Sequence, residues 1–173
     1  MAERRECKMG RIEHHHLHWP RDEHFFNSEP KILSVRKCAE PTFVYTKSEA
    51  YVMMAFNIIK TKRANLLYLT ALLNSSLIKF WLKHKGKMQG QMFQIDKEPL
   101  LAIPLCLPNK VEQERIAKLT ESLIECQTYI ANANTEAKRM QYQRVYEQTE
   151  RKVQALINAI YTLDENECAM LEM

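Results

Sequence analysis

The sequence predicts an α+β fold, in which a small β-rich domain surrounds a buried helix and is followed by a C-terminal α-helical hairpin. Three observations lead to this prediction. Short β-branched and aromatic runs fill residues 31–62 between proline and polar breaks. A long apolar segment with helical spacing covers residues 65–85. Beyond position 110, apolar residues recur at the alternating three- and four-residue spacing of a helix pair.

The β-rich part contains three candidate strands. KILSVRK (31–37) alternates in polarity, TFVYT (42–46) lies between Pro41 and a polar turn, and YVMMAFNIIKTK (51–62) predicts a longer strand. Together they predict a small antiparallel sheet. Residues 1–30 show no clear period and predict an irregular arm, with these apolar anchors: Leu17, Trp19, Phe25 and Phe26.

A buried helix is expected from Asn65, a suitable N-cap, to Lys85. Gly86 follows the cations of its last turn and supplies a stop signal. The segment from 92 to 105 then predicts a strand or extended piece that returns to the core. The methionines of this region are interpreted as core filler: Met53, Met54, Met88 and Met92.

The C-terminal part is predicted to be helical. One heptad seam comprises Ile116, Leu119, Leu123, Cys126, Ile130 and Ala133, and a second comprises Val153, Leu156, Ile160 and Leu163. A break near Asn132–Asn134 predicts two antiparallel helices. Asp164, with Glu167 three positions later, predicts the start of a short last helix. The expected division is an arm at 1–30, a recognition domain at 31–108 and a helical docking region at 109–173.

The charge distribution suggests two different partners. Residues 1–109 contain 17 Lys and Arg against 10 Asp and Glu, a net charge of +7, whereas residues 110–173 have a net charge of −3. A basic half favours contact with a polyanion. The N-terminus is too polar for a signal peptide and no apolar run reaches the roughly 18 residues of a membrane span, so a cytoplasmic protein is expected.

A cluster of cations and amides at the end of the buried helix is the strongest candidate site. Its members are Lys79, Lys83, Lys85, Lys87, Gln89, Gln91 and Gln94. Lysines supply sequence-independent affinity for phosphates, and glutamine amides pair with base edges, notably adenine. The other interpretation is a solvated helix end whose cations complement the helix dipole. Gly86 and Gly90 would allow close backbone approach.

Arg36 and Lys37 are a second candidate pair, because they end a predicted strand just before Pro41. They could contact a phosphate or a base. Charge that protects an exposed strand edge explains them equally simply.

Histidines in the arm raise the question of a metal site. His14, His15, His16, His18 and His24, with Cys7 or Cys38, offer ligands, and a metal-dependent nuclease would follow. Zinc sites usually need paired cysteines at defined spacing, which this sequence does not have, so surface histidines are preferred. Dinucleotide, P-loop, hydrolase-elbow and HExxH motifs are also missing from the sequence, and we expect a chain without catalytic residues or cofactors of its own.

The order of these segments is similar to that of a known family. The runs EPKILSVRK, EPTFVYT and YVMMAFNIIKTK are followed by Leu72–Leu73–Asn74–Ser75, Gly86–Lys87, Gly90 and the Ile103–Pro104 closure. This arrangement resembles the target recognition domain of type IIG/IIS restriction–modification enzymes, the TaqI-like C-terminal specificity domain, which is related to type I specificity subunits. The resemblance covers roughly residues 29–173.

The resemblance implies sequence-specific binding of double-stranded DNA for a restriction–modification system. In that family a nuclease domain and an adenine-specific DNA methyltransferase, with S-adenosylmethionine and Mg²⁺, lie upstream. This chain then corresponds to the C-terminal portion, and its helices would dock on the methyltransferase or nuclease portion. The alternative is a helical protein–protein interaction module that assembles a complex without contacting DNA.

Overall fold

The computed structural model describes residues 4–16 and 22–171, so the anchors expected at Leu17 and Trp19, and His18, lie outside the described residues. A 3₁₀ turn spans Glu23–Phe25. The strands are β1 Lys31–Val35, β2 Lys37–Cys38, β3 Phe43–Thr46, β4 Phe56–Ile59, β5 Lys87–Gln89 and β6 Met92–Gln94. The helices are α1 Arg5–Lys8, α2 Leu66–Leu73, α3 Ser76–Lys85, α4 Lys97–Leu101, α5 Lys110–Ala131, α6 Glu136–Ile160 and α7 Glu165–Leu171. The predicted α+β class is confirmed.

The strands of the described ranges form two small antiparallel sheets. The first has the order β3-β1-β4, with Ile32 opposite both Tyr45 and Ile59. The second has the order β2-β6-β5, with Lys37 and Lys87 both opposite Gln94. The predicted first strand therefore divides at Arg36, and its two halves belong to different sheets.

The prediction of one continuous helix from Asn65 to Lys85 is wrong. Asn65 does cap α2, where its side chain accepts from the amides of Leu67 and Tyr68. The chain breaks at Asn74 and Ser75, and a second helix starts there because the Ser75 hydroxyl accepts from the Ile78 amide. Helix α2 packs against β1 and β3 of the first sheet, and α3 contacts β5 of the second.

Two extended segments are shorter than predicted. Within 51–62 only Phe56–Ile59 is a strand, since the preceding residues form an exposed loop. Within 92–105, β6 ends at Gln94 and the helix α4 follows at Lys97–Leu101. Pro99 lies in the first turn of α4, where its missing amide hydrogen costs no helical hydrogen bond.

The helical hairpin and the short last helix are confirmed. Helices α5 and α6 pack together, and near their connection the rings of Tyr129 and Tyr142 stack with centroids 4.9 Å apart. At α7 the Asp164 carboxylate accepts from the Glu167 amide at 2.8 Å, and the Glu167 carboxylate accepts from the Asp164 amide at 2.9 Å. This reciprocal pair is the capping box that the sequence predicts.

One hydrophobic core connects the sheet with the hairpin. It includes Ile32 and Phe43 of the strands together with Ile116 of α5 and Ile157 of α6. The Tyr68 hydroxyl of α2 donates to the Cys106 carbonyl at 2.6 Å, and burial raises the pKa of this phenol. The division into a recognition domain and a docking region remains a prediction. Among the described residues, no helix combines the length and apolar character needed to cross a membrane.

Candidate nucleic-acid interface

The second sheet gathers several predicted site residues on one face. Directly opposite residues of antiparallel strands point to the same side, so Lys37, Gln94 and Lys87 form one row across β2, β6 and β5. Gln89 lies in the next row on that side, opposite Met92. At the alternate positions, Phe93 is buried and Cys38 packs against the core. Met88, opposite Phe93, is 40% exposed, so its interpretation as core filler is wrong.

The carboxylate of Asp96 contacts three polar side chains on this side of the sheet, those of Arg36, Gln94 and Lys87. This carboxylate lies 2.5 Å from Nη2 of Arg36 and accepts from Nε2 of Gln94 at 2.7 Å. Nζ of Lys87 lies 4.0 Å from the same carboxylate and 3.8 Å from that of Glu98. The hydrogen bond from Arg36 is the main reason that the pKa of Asp96 lies below its ordinary value, and Gln94 and Lys87 lower it further. We call Arg36, Lys37, Lys87, Gln89, Gln94 and Asp96 the polar face.

Arg36 also joins the two sheets through its backbone. Its amide donates to the Ala55 carbonyl at 2.8 Å, and its carbonyl accepts from the Ile95 amide at 2.6 Å. The side-chain amide of Asn57, on β4, donates to the Ile95 carbonyl at 2.7 Å. The polar face therefore rests on backbone contacts of Arg36 and on the side chain of Asn57.

The lysines of α3 have different surroundings. Lys79 forms an ion pair with Glu40, so part of its charge is compensated. Lys83 and Lys85 are exposed in the last turn, immediately before Gly86 and β5. Gly86 is required by the helix itself, because a Cβ there would collide with the Leu82 carbonyl oxygen.

Gln91 lies in the turn between β5 and β6. Gly90 precedes it with φ +62°, in the left-handed region that a two-residue hairpin turn requires of its first residue. Gln89 and Gln91 are both exposed. The β5–β6 hairpin thus carries two exposed side-chain amides, Gln89 and Gln91, in addition to Gln94 of the row.

Sequence reasoning overlooked two residues of this site. Asp96 was not among the predicted site residues, yet it contacts three of them, Arg36, Gln94 and Lys87. Asn57 received no role, although it fixes the backbone next to Asp96. No local signal could reveal either residue, because both depend on pairing between distant strands.

The histidine arm is arranged differently from the predicted cluster. Ligand atoms of Glu13, His15 and His16 lie within 4.8 Å of one another, and all three side chains are exposed. Nδ1 of His24 lies 3.0 Å from Oδ1 of Asp22. Cys38 belongs to the inward side of the second sheet. The described arm residues therefore do not bring the cysteines and histidines of the metal hypothesis into one buried site.

The base of the hairpin contains a groove of about 1060 Å³. Val111, Leu119 and Leu156 contribute apolar surface, and Arg115, Lys118 and Lys152 contribute positive charge. The groove lies on α5 and α6, whereas the polar face belongs to β2, β5 and β6. The groove and the polar face are therefore separate surfaces of the chain.

Comparison with known proteins identifies the family. A search of curated proteins finds no match to the chain. Residues 6–105 match the TaqI-like C-terminal specificity domain, which is more than half of the 173 residues. The matched region begins in the arm, includes both sheets and the helices between them, and ends before the hairpin. The chain therefore belongs to the family of TaqI-like C-terminal specificity domains.

Proposed function

We propose that this protein recognises a specific sequence in double-stranded DNA for a restriction–modification system. The observation that carries the proposal is the row of Lys37, Gln94 and Lys87 on the outward side of the second sheet. Membership of the specificity-domain family supports DNA target recognition as the purpose of such a face. A role on cellular DNA also favours a cytoplasmic location.

The lysines would supply affinity. Lys37, Lys83, Lys85 and Lys87 are exposed, and each lysine that neutralises a phosphate releases counterions whatever the base sequence. Lys79 would contribute less, because Glu40 already pairs with it. Lys87 would also contribute less, since the carboxylates of Asp96 and Glu98 lie within 4.0 Å of its Nζ. The lysines therefore position the protein on the duplex and carry no sequence information.

The glutamines would supply specificity in the major groove. Gln94 donates one amide hydrogen to Asp96, which leaves its second N–H and its carbonyl oxygen available for a base edge. These two groups match the N7 acceptor and N6 donor of adenine. Gln89 and Gln91 in the β5–β6 hairpin would read the base pairs next to the one that Gln94 reads. Asp96 and Arg36 would act as positioning residues, since they hold the amide of Gln94 in one orientation.

The chemistry would belong to a methyltransferase or nuclease portion outside these 173 residues. Methylation of adenine requires the base to be flipped out of the duplex, and that portion would bind S-adenosylmethionine and Mg²⁺. The groove at the base of the hairpin supports docking of such a portion, because it combines apolar surface with the cations Arg115, Lys118 and Lys152. The helices would then set the distance between recognition and chemistry.

A helical interaction module is the second candidate function. Exposed apolar side chains on the hairpin favour it, among them Ile124, Tyr129 and Val145. This alternative predicts partner-dependent behaviour that is insensitive to salt and independent of DNA.

A randomised duplex library titrated by fluorescence anisotropy across a salt series tests the proposal, with sequencing of the bound fraction. Salt-dependent binding with an enriched motif is the expected result. Salt-dependent binding without an enriched motif would mean that this chain alone binds DNA non-specifically and needs its catalytic portion to recognise a sequence. An absence of binding at low salt would reject the proposal in favour of the interaction module.

A further inference from the structure

The loop before β4 exposes two methionines that the sequence had suggested as core filler. Met53 is 77% exposed and Met54 is 71% exposed, whereas methionine side chains usually fill gaps in protein interiors. Two adjacent apolar side chains in solvent form a surface that an apolar group of a partner can cover.

Hydrogen bonds hold this loop in place at both ends. The Ala50 amide donates to the Phe26 carbonyl at 3.0 Å, and the Tyr51 ring stacks on that of Phe26 with centroids 5.1 Å apart. At the other end, the Phe56 amide donates to the Met53 carbonyl at 3.1 Å. The methionines therefore project from a backbone of defined shape.

Arg36 places the loop directly beside the polar face. Its Nη1 donates to the Met54 carbonyl at 3.3 Å, while its Nη2 donates to the Asp96 carboxylate. A single guanidinium thus separates the backbone of Met54 from the carboxylate that orients Gln94. A duplex that lies on the polar face would pass next to both methionines.

We propose that Met53 and Met54 contact thymine methyl groups of the bound DNA. This inference rests on the proposed function, because it assumes that the polar face enters the major groove. The C5-methyl group of thymine is the apolar feature that base edges present there, and it takes apolar rather than polar contacts. The polar face would read hydrogen-bonding edges, and the loop would read the methyl group at an adjoining A·T pair.

Replacing thymine by deoxyuridine removes the methyl group and leaves every hydrogen-bonding group in place. The experiment compares the wild-type chain with M53A/M54A on the selected duplex, with deoxyuridine at each thymine in turn. At one position or more the wild type should lose about fourfold in affinity per methyl group. M53A/M54A should bind the unmodified duplex more weakly and should be nearly indifferent to the same replacement.

M140A/M170A is the matched control, because Met140 and Met170 are also exposed but lie on α6 and α7. This variant should respond to deoxyuridine as the wild type does. Thermal melting checks that each variant is folded. Equal sensitivity of M53A/M54A and wild type, or a selected motif without thymine, would overturn the inference while DNA recognition stands. Failure of the wild type to bind any duplex would reject the proposed function and the inference with it.

Discussion

Arg36 and Asp96 are 60 positions apart in the sequence, yet Nη2 of Arg36 lies 2.5 Å from Oδ1 of Asp96. The arginine belongs to the bend between the two sheets, and the aspartate follows the central strand of the second sheet. Because Asp96 also accepts from Gln94 and lies near Lys87, this pair organises the face that we assign to DNA. The contact links the stability of the fold to the orientation of its recognition side chains.

The pair makes stability depend on pH in the acid range. Arg36 lowers the pKa of folded Asp96 below the ordinary value of 3.8, so the unfolded chain binds the proton more readily. The contribution of Asp96 is present above about pH 4 and is lost as the pH falls through its folded pKa. We expect urea denaturation between pH 6 and pH 3 to show a smaller loss of stability for D96N than for the wild type.

R36Q gives an independent check of this cause. Without the guanidinium, the pKa of Asp96 should rise towards its ordinary value, and the pH dependence should flatten as it does in D96N. Other carboxylates with lowered pKa values, such as Glu29 beside Lys60, are unchanged in both variants. Identical acid profiles for the wild type, D96N and R36Q would contradict the assigned role of the pair.

Changes at Gln94 should alter sequence preference more than total affinity. Q94A removes a base-reading amide and leaves the lysines intact, so discrimination at one base pair should fall by roughly 1–3 kcal/mol. Binding to unrelated duplexes should change little. Selection from a randomised library, repeated with Q94A, measures this directly.

D96N tests whether Asp96 positions Gln94. Arg36 and Gln94 donate to different oxygens of Asp96, and an asparagine has only one acceptor oxygen. Gln94 should therefore lose its fixed orientation, and the sequence preference of DNA binding should relax at the same base pair as in Q94A. Q91A is the comparison for the hairpin turn, and its effect should fall at a different base pair. Equal losses of affinity on target and unrelated DNA for Q94A would refute the reading role.

Local interactions made much of the fold predictable. The cap at Asn65, the capping box of Asp164 and Glu167, and the heptads of the hairpin depend on residues within a few positions of one another. The break at Asn74 was predictable only in part: the Ser75 cap on the Ile78 amide is local, but the contact with Phe43, 31 positions away, is not. A pattern of apolar residues cannot reveal such a contact.

The candidate site shows the same distinction. Lys37, Lys87, Gln89 and Gln94 were candidates from residue type and spacing, and the second sheet places them on one side. Their common orientation depends on pairing between residue 37 and residue 94, which sequence periodicity does not specify. The pairing of Lys79 with Glu40 and the burial state of Met53 likewise follow from the three-dimensional arrangement.

Removal of the three lysines at the end of α3 and the start of β5 should reduce the salt dependence of DNA binding. K83A/K85A/K87A should weaken binding to all duplexes and lower the magnitude of the slope of log K against log salt by up to about 3. Anisotropy titrations at a series of salt concentrations measure this slope.

K110A/R115A/K118A is the matched control, because it removes the same charge from the groove of the hairpin. Its slope should stay close to that of the wild type. If K110A/R115A/K118A reduced the slope of log K against log salt and K83A/K85A/K87A did not, the DNA-binding surface would lie on the α5–α6 hairpin instead.

Asn74 should matter for stability and not for DNA reading. Its amide donates to the Phe43 carbonyl at 2.7 Å and to the Thr70 carbonyl at 2.9 Å, while its side-chain oxygen accepts from the Phe43 amide at 3.0 Å. The side chain thus replaces a neighbouring strand at the edge of β3 and joins it to the end of α2. N74A should lower the free energy of unfolding by about 1–3 kcal/mol, because these backbone groups lose their partner.

N74D separates the two halves of this contact. The carboxylate can still accept from the Phe43 amide, but it cannot donate to the carbonyls of Phe43 and Thr70, and it places negative charge beside them. We therefore expect N74D to be at least as destabilising as N74A near neutral pH, and to recover stability as the carboxylate becomes protonated and regains a donor. Urea denaturation at pH 7 and pH 4 measures both effects. If N74D were as stable as the wild type at pH 7, the donated hydrogen bonds would not be what joins β3 to α2.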